Sequence, residues 1–205
     1  MRTIPFATGV LVLAAAWLGP LPALATHAFS AHMTMHLAVV AVAAPLVAAG
    51  LAGGTWDPVR IAPRWFAPIP ASLAEFAVVW AWHAPALHHA ARHQAGALVA
   101  EQGTFLVAGL WLWMAALGGE PHVRPARAAT GVVALLLTSM HMTLLGALIA
   151  LGPRPLYSAA HDGLADQHLG GAIMLLVGGA VYLGGGLWLM AGLVRSGLPA
   201  ARERM

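Results

Sequence analysis

Neither cysteine nor lysine occurs in these 205 residues. Without thiols the chain can form no disulfide and no thiolate metal centre. Any bound metal has to be held by imidazole, thioether or carboxylate. Charge is scarce too: 8% of residues are charged, against about 25% in an average soluble domain. With 60% hydrophobic residues and a mean hydropathy of +0.78, the chain reads as an integral membrane protein with little room for a soluble domain. Basic runs interleaved with aromatics are missing, as are nucleotide-binding glycine patterns, so the net charge of +3 does not point to nucleic acid. Alternating strands of barrel length are absent as well. The expected fold class is therefore all-α, a polytopic transmembrane helical bundle.

What is present is a succession of long apolar stretches, and a helix needs about 20 residues to cross a bilayer. The first is residues 1–25. Arg2 precedes the apolar run Ile4–Leu18, Pro20 and Pro22 break it, and Ala23-Leu24-Ala25 resembles a cleavage site. This segment reads as a signal peptide or as a first membrane helix. The rest, 26–205, reads as one helical domain with five mature helices, near 31–52, 70–90, 97–117, 128–151 and 167–194. Loops rich in Gly and Pro separate them. The 23 glycines suit close helix packing, and the tryptophans suit interfacial anchoring.

Orientation follows from the arginines. With the start of the first mature helix outside, Arg60, Arg64, Arg124, Arg127, Arg195, Arg202 and Arg204 fall inside, and Arg92 and Arg154 outside. The same assignment gathers His27, His32, His36, His88, His89, His93, His161 and His168 at the outer surface. His83 and His141 then lie within the membrane, and His122 alone inside. Imidazoles collected on one side, with methionines among them, suggest a metal site facing the extracytoplasmic space.

Three segments carry the candidate ligands. His32-Met33-Thr34-Met35-His36 opens the first mature helix, where His32 and His36 share a face and Met35 sits close to it. His83 comes just before Pro85, which should kink the second helix and free the Ala81 carbonyl. Met140-His141-Met142 lies mid-helix, and ionisable groups there are functional by default. By a rise of 1.5 Å per residue, His36, His83 and His141 all fall at roughly 7–15 Å depth, which predicts one shared site with Met35 and Met140 or Met142 adding thioethers. His88, His89 and His93 read as surface residues. Glu101, Asp166 and His168 lie near the same end, and the two carboxylates could orient ligating imidazoles from behind; Asp166 also suits a helix N-cap. Glu75 falls near the inner end, detached from this group. Imidazole with thioether favours copper, and the neutral ring must be the ligand, so binding should weaken below about pH 6.5.

The order of short signals resembles the CtaG-type membrane proteins needed for assembly of caa3-type cytochrome c oxidase. His32-Met33-x-x-His36 leads into a helix containing Pro45. Trp80-x-x-His83-x-Pro85-x-Leu87 closes the next. Glu101 precedes Phe105 and Trp111–Trp113, and Leu156-Tyr157 precedes Asp166-Gln167, Gly170-Gly171 and Met174. In that family histidine usually follows the glutamate, whereas this chain has Gln102, and more helices are common there. The resemblance implies a non-enzymatic assembly factor of the bacterial plasma membrane, acting with oxidase subunits or copper chaperones in the lipid bilayer. Copper is the expected metal. The competing readings are a haem-binding redox protein, with bis-imidazole ligation, and a copper or other metal transporter. The arginine split predicts a cytoplasmic C-terminus and an outer Tyr157 loop. A topology reporter fused after Met205 should be active only on the cytoplasmic side; activity confined to the periplasm would reverse the assignment.

Overall fold

In a computed structural model the chain is a helical bundle. Residues 2–157 and 163–202 are described, with side chains to Arg195; His161 and Arg204, and the side chain of Arg202, lie outside the described residues. Four helices are long and apolar enough to cross a membrane, and a shorter apolar helix precedes them.

Helix α1 is Thr3–Leu18, followed by one turn, α2, at Leu21–Ala25. Helix α3 spans Phe29–Leu51 and contains a π-helical stretch at Ala38–Ala43. A turn at Pro58–Ile61 (α4) lies in the next loop. The following pass is broken: α5 covers Pro68–Trp82 and α6 Pro85–His93. Helices α7 (Ala95–Leu117) and α8 (Arg124–Ala150) are continuous. The last helix, α9, opens at Gly163–Ile173, passes a π turn at Met174–Gly178 and continues over Gly179–Arg202. Proline sets several starts, at the first or second position of α4, α5, α6 and α8, where its missing N–H costs nothing.

Packing sets the neighbours. Helix α1 lies along α3, and α3 also meets α7 and α9, while α8 is flanked by α5, α7 and α9. The contact of α1 with α3 is close: a Cβ on Gly9 would stand 2.7 Å from Val47, and one on Gly50 2.6 Å from Phe6. Trp17 Nε1 donates to Gln102 Oε1 at 3.4 Å, so α1 is also joined to α7. Not every tryptophan is an interfacial anchor, because Trp113 is buried and stacks on Tyr182 in the core.

The two ends differ in chemistry. At one end Arg60 donates to Glu120 at 2.6 Å, Arg124 to the Gly119 carbonyl, and Arg127 to the Phe66 carbonyl. These arginines therefore tie loops together as well as carrying charge. Asp57 organises the same end. Its carboxylate, fully buried, accepts from the N–H groups of Gly53 (2.7 Å), Val59 (2.9 Å) and Gly119 (2.8 Å). Gly53 has φ +72 and Gly119 φ +102, a region costly to any residue with a Cβ. Asp57→Ala should leave buried donors unpaired and cost about 2–4 kcal/mol. Thermal unfolding in detergent should show the loss, and Asp57→Asn, which keeps an acceptor oxygen, should lose less.

Candidate metal centre

Opposite the arginine end, five buried residues converge from four helices. His32 and His36 come from the first two turns of α3, His83 from the end of α5, His88 from α6 and Glu101 from α7; each is 5% exposed or less. The break after α5 makes this possible. His83 closes α5, Ala84 is extended, and Pro85 starts α6. The expected kink is thus a full break with restart. Nor is the Ala81 carbonyl free, because Ala84 N–H donates to it at 3.0 Å. The freed group is the His83 carbonyl, which accepts from the Tyr157 hydroxyl at 2.8 Å.

The cluster has two tiers. In the upper one, ligand atoms of His32, His88 and Glu101 lie within 4.8 Å of one another, and the rings of His32 and His88 meet edge-on with centroids 4.6 Å apart. One helical turn further into the bundle, about 6 Å along α3, the rings of His36 and His83 meet at 5.4 Å, with Phe105 against His36 at 4.1 Å.

Hydrogen bonds decide which nitrogens carry protons. A carbonyl or carboxylate oxygen only accepts, so a ring nitrogen bonded to it must be the N–H. His32 Nε2 donates to Glu101 Oε1 at 2.9 Å, and His83 Nδ1 donates to the Val79 carbonyl at 2.6 Å. In the neutral rings His32 Nδ1 and His83 Nε2 are then bare lone pairs, buried without a partner among the described residues. Both nitrogens of His36 and both of His88 are also buried and unpartnered. Ligating histidines characteristically give their second N–H to a carboxylate or carbonyl in this way. Glu101 Oε2 accepts from Gln102 Nε2 at 3.1 Å, so Gln102 takes part by steadying the carboxylate.

Other candidates lie elsewhere. The shared site expected from depth joins His36 to His83 but leaves out His141. Depth along a helix says nothing of direction around it, and α8 turns His141 toward α5, where its ring meets Phe76 at 5.3 Å. There it borders an open apolar groove with Ser72 and Ser139. Met140 is 67% exposed on the outside of the bundle, and Met142 is buried facing Gly178. Met35 lines a small cavity beside Trp17 and Gln102. His168 Nε2 bonds to the Gly152 carbonyl at 2.9 Å, away from the cluster. Asp166 does not cap its own helix, since α9 begins at Gly163. Its carboxylate accepts from Phe29 N–H and Ser30 N–H at the start of α3, which places His32 at its height. Glu75 is buried deep in the bundle with the Tyr182 hydroxyl donating to it.

The residue missed by sequence reasoning is His88. It reads as surface because it falls in the last turn of the helix expected near 70–90, but Pro85 restarts the helical phase and turns it inward. Tyr157 covers it. That ring stacks on Phe29 with centroids 4.6 Å apart, meets His88 at 4.5 Å, and is itself half-buried. Burial pushes its phenol up to about 12, so it remains a donor to His83. Gln167 pins the loop carrying it. Its amide oxygen accepts from Leu156 N–H at 2.6 Å, and its nitrogen donates to the carbonyls of Ile149 and Arg154.

The sequence model of the cytochrome c oxidase caa3 assembly factors matches residues 1–196. No curated protein and no solved structure matches the chain. The motifs that form the cluster and its cover all fall inside the matched span, and the chain belongs to the caa3 cytochrome c oxidase assembly factor (CtaG) family.

Proposed function

We propose that this membrane assembly factor binds copper in the buried histidine cluster and passes it on during maturation of the oxidase. One observation carries the reading: four buried imidazoles from three helices present lone pairs that no group among the described residues satisfies, and two of them are held in a fixed tautomer. An unpaired buried polar nitrogen is costly, and a soft or borderline cation bound to it removes the cost. In a chain without cysteine, imidazole and thioether are the donors left for copper, and the groups that converge here are imidazoles. Glu101 adds negative charge beside the site and holds His32.

The arginine distribution supports placing the cluster at the outer face, where such an ion could be handed to oxidase subunits or received from copper chaperones. The docking of α1 on α3 supports reading residues 1–25 as a retained sixth helix. A haem reading is disfavoured because bis-imidazole ligation needs a flat slot between two rings, whereas His83 and Phe105 pack directly on His36. A transporter needs a polar route onward. Below the cluster stand Val39, Val40, Val79 and Leu112, all fully buried, and Glu75 is engaged with Tyr182.

His36→Ala should cut copper retained by the detergent-purified protein, and oxidase activity in cells, while the protein stays in the membrane. His122→Ala, exposed near the arginine end, should do neither. Glu101→Gln should weaken copper about 10–100-fold, the usual effect of losing an orienting partner. Metal analysis of the three variants checks this, and equal copper in all of them defeats the proposal.

A further inference from the structure

Helix α6 divides its histidines between two surroundings. His88 is 1% exposed and turned into the cluster. His89, the next residue, points about 100° away on the helix. It pairs with His93 one turn on, their ring centroids 4.4 Å apart and both rings exposed. The pair stands in a recess of about 750 Å³ whose wall includes His27, Arg92, Tyr157 and His88 itself. His88 therefore borders both spaces, with neither ring nitrogen hydrogen-bonded to any of the described residues.

We propose that His89 and His93 form a second metal site, which captures Cu(II) at the mouth of the recess and feeds the buried cluster through His88. This rests on the copper reading given above. Imidazoles four residues apart on a helix face are neighbours, so both can reach one ion without backbone movement. Their exposure keeps water in the remaining coordination positions, which makes the site weak and reversible, as a capture site must be. Among first-row divalent ions copper binds such nitrogen donors most tightly. Among the described residues that line the recess, Arg92 is the charge that opposes a cation. Its guanidinium is committed to the carbonyls of Ala25, Thr26 and Tyr157, and the Asp166 carboxylate acts on it from nearby. His88 and the Tyr157 ring that packs on it both line this recess, so His88 is the point of contact between the exposed pair and the buried cluster.

The test uses full-length protein in detergent and Cu(II) alone. Equilibrium dialysis of the wild type should find one tight and one weak equivalent. His89→Ala with His93→Ala, both exposed, should lose the weak equivalent and fill the tight one about tenfold more slowly in stopped flow, because captured metal acts at a high effective concentration. In the complementary variant, His36→Ala with Glu101→Gln, the weak equivalent should remain and the tight one go. A His89/His93 variant matching the wild type in stoichiometry and rate overturns the capture site and leaves the buried cluster standing. A tight equivalent that survives loss of His36 and Glu101 overturns the buried-cluster reading instead.

Discussion

The histidine end depends on the break between α5 and α6. Backbone groups in hydrocarbon have no water to turn to, so a proline that interrupts a membrane helix needs its freed partners met. Here side chains meet them. The His83 ring donates to the Val79 carbonyl, and the Tyr157 hydroxyl reaches the His83 carbonyl. The first bond sets the tautomer of His83 and leaves its Nε2 bare. The second brings the loop cover over His88. The restart at Pro85 aims α6 so that His88 meets His32. One backbone defect thus places two buried imidazoles and the ring that covers one of them.

Around this break the protein is rigid where it must position groups. Asp166 holds the first turn of α3, and Gln167, one residue along, holds the loop before α9. Arg92 ties α6 to both the α2–α3 junction and the Tyr157 loop. Small residues allow these elements close approach: a Cβ on Gly170 would stand 2.4 Å from the Phe29 ring. The opposite end is built on the same logic with different groups, Asp57 gathering backbone donors where the histidine end gathers lone pairs.

The contrast in hydrogen bonding between the ends is informative about function. Asp57 is buried and satisfied three times over. Within the cluster, six ring nitrogens of His32, His36, His83 and His88 are buried and find no partner among the described residues. Buried polar groups in folded proteins are overwhelmingly paired, and half of the buried side-chain atoms left without a partner among the described residues fall in this one cluster, which marks it as the candidate site. Family membership says that the chain serves oxidase assembly, and the unpaired imidazoles suggest the chemistry by which it does so.

Composition and hydropathy determined the helical membrane bundle, the approximate place of its four long apolar helices and the segregation of arginine from histidine along the chain. These are properties of local runs, readable one segment at a time, whereas the pass expected near 70–90 is two shorter helices. Ordered motifs determined the family. The pairing of His32 with His36 was legible because four residues make one helical turn. The approach of His83 to His36 was legible from their similar depth, but the inward turn of His88 was not, because the phase of α6 depends on where Pro85 restarts the helix. His141 shows the converse: its depth was readable, but its direction was set by which helices flank α8. Glu101 was expected to orient an imidazole, yet only the packing of α7 against α3 selected His32 as its partner. Distance along one helix is written in the sequence, whereas the angle at which each helix faces its neighbours arises from packing among all of them.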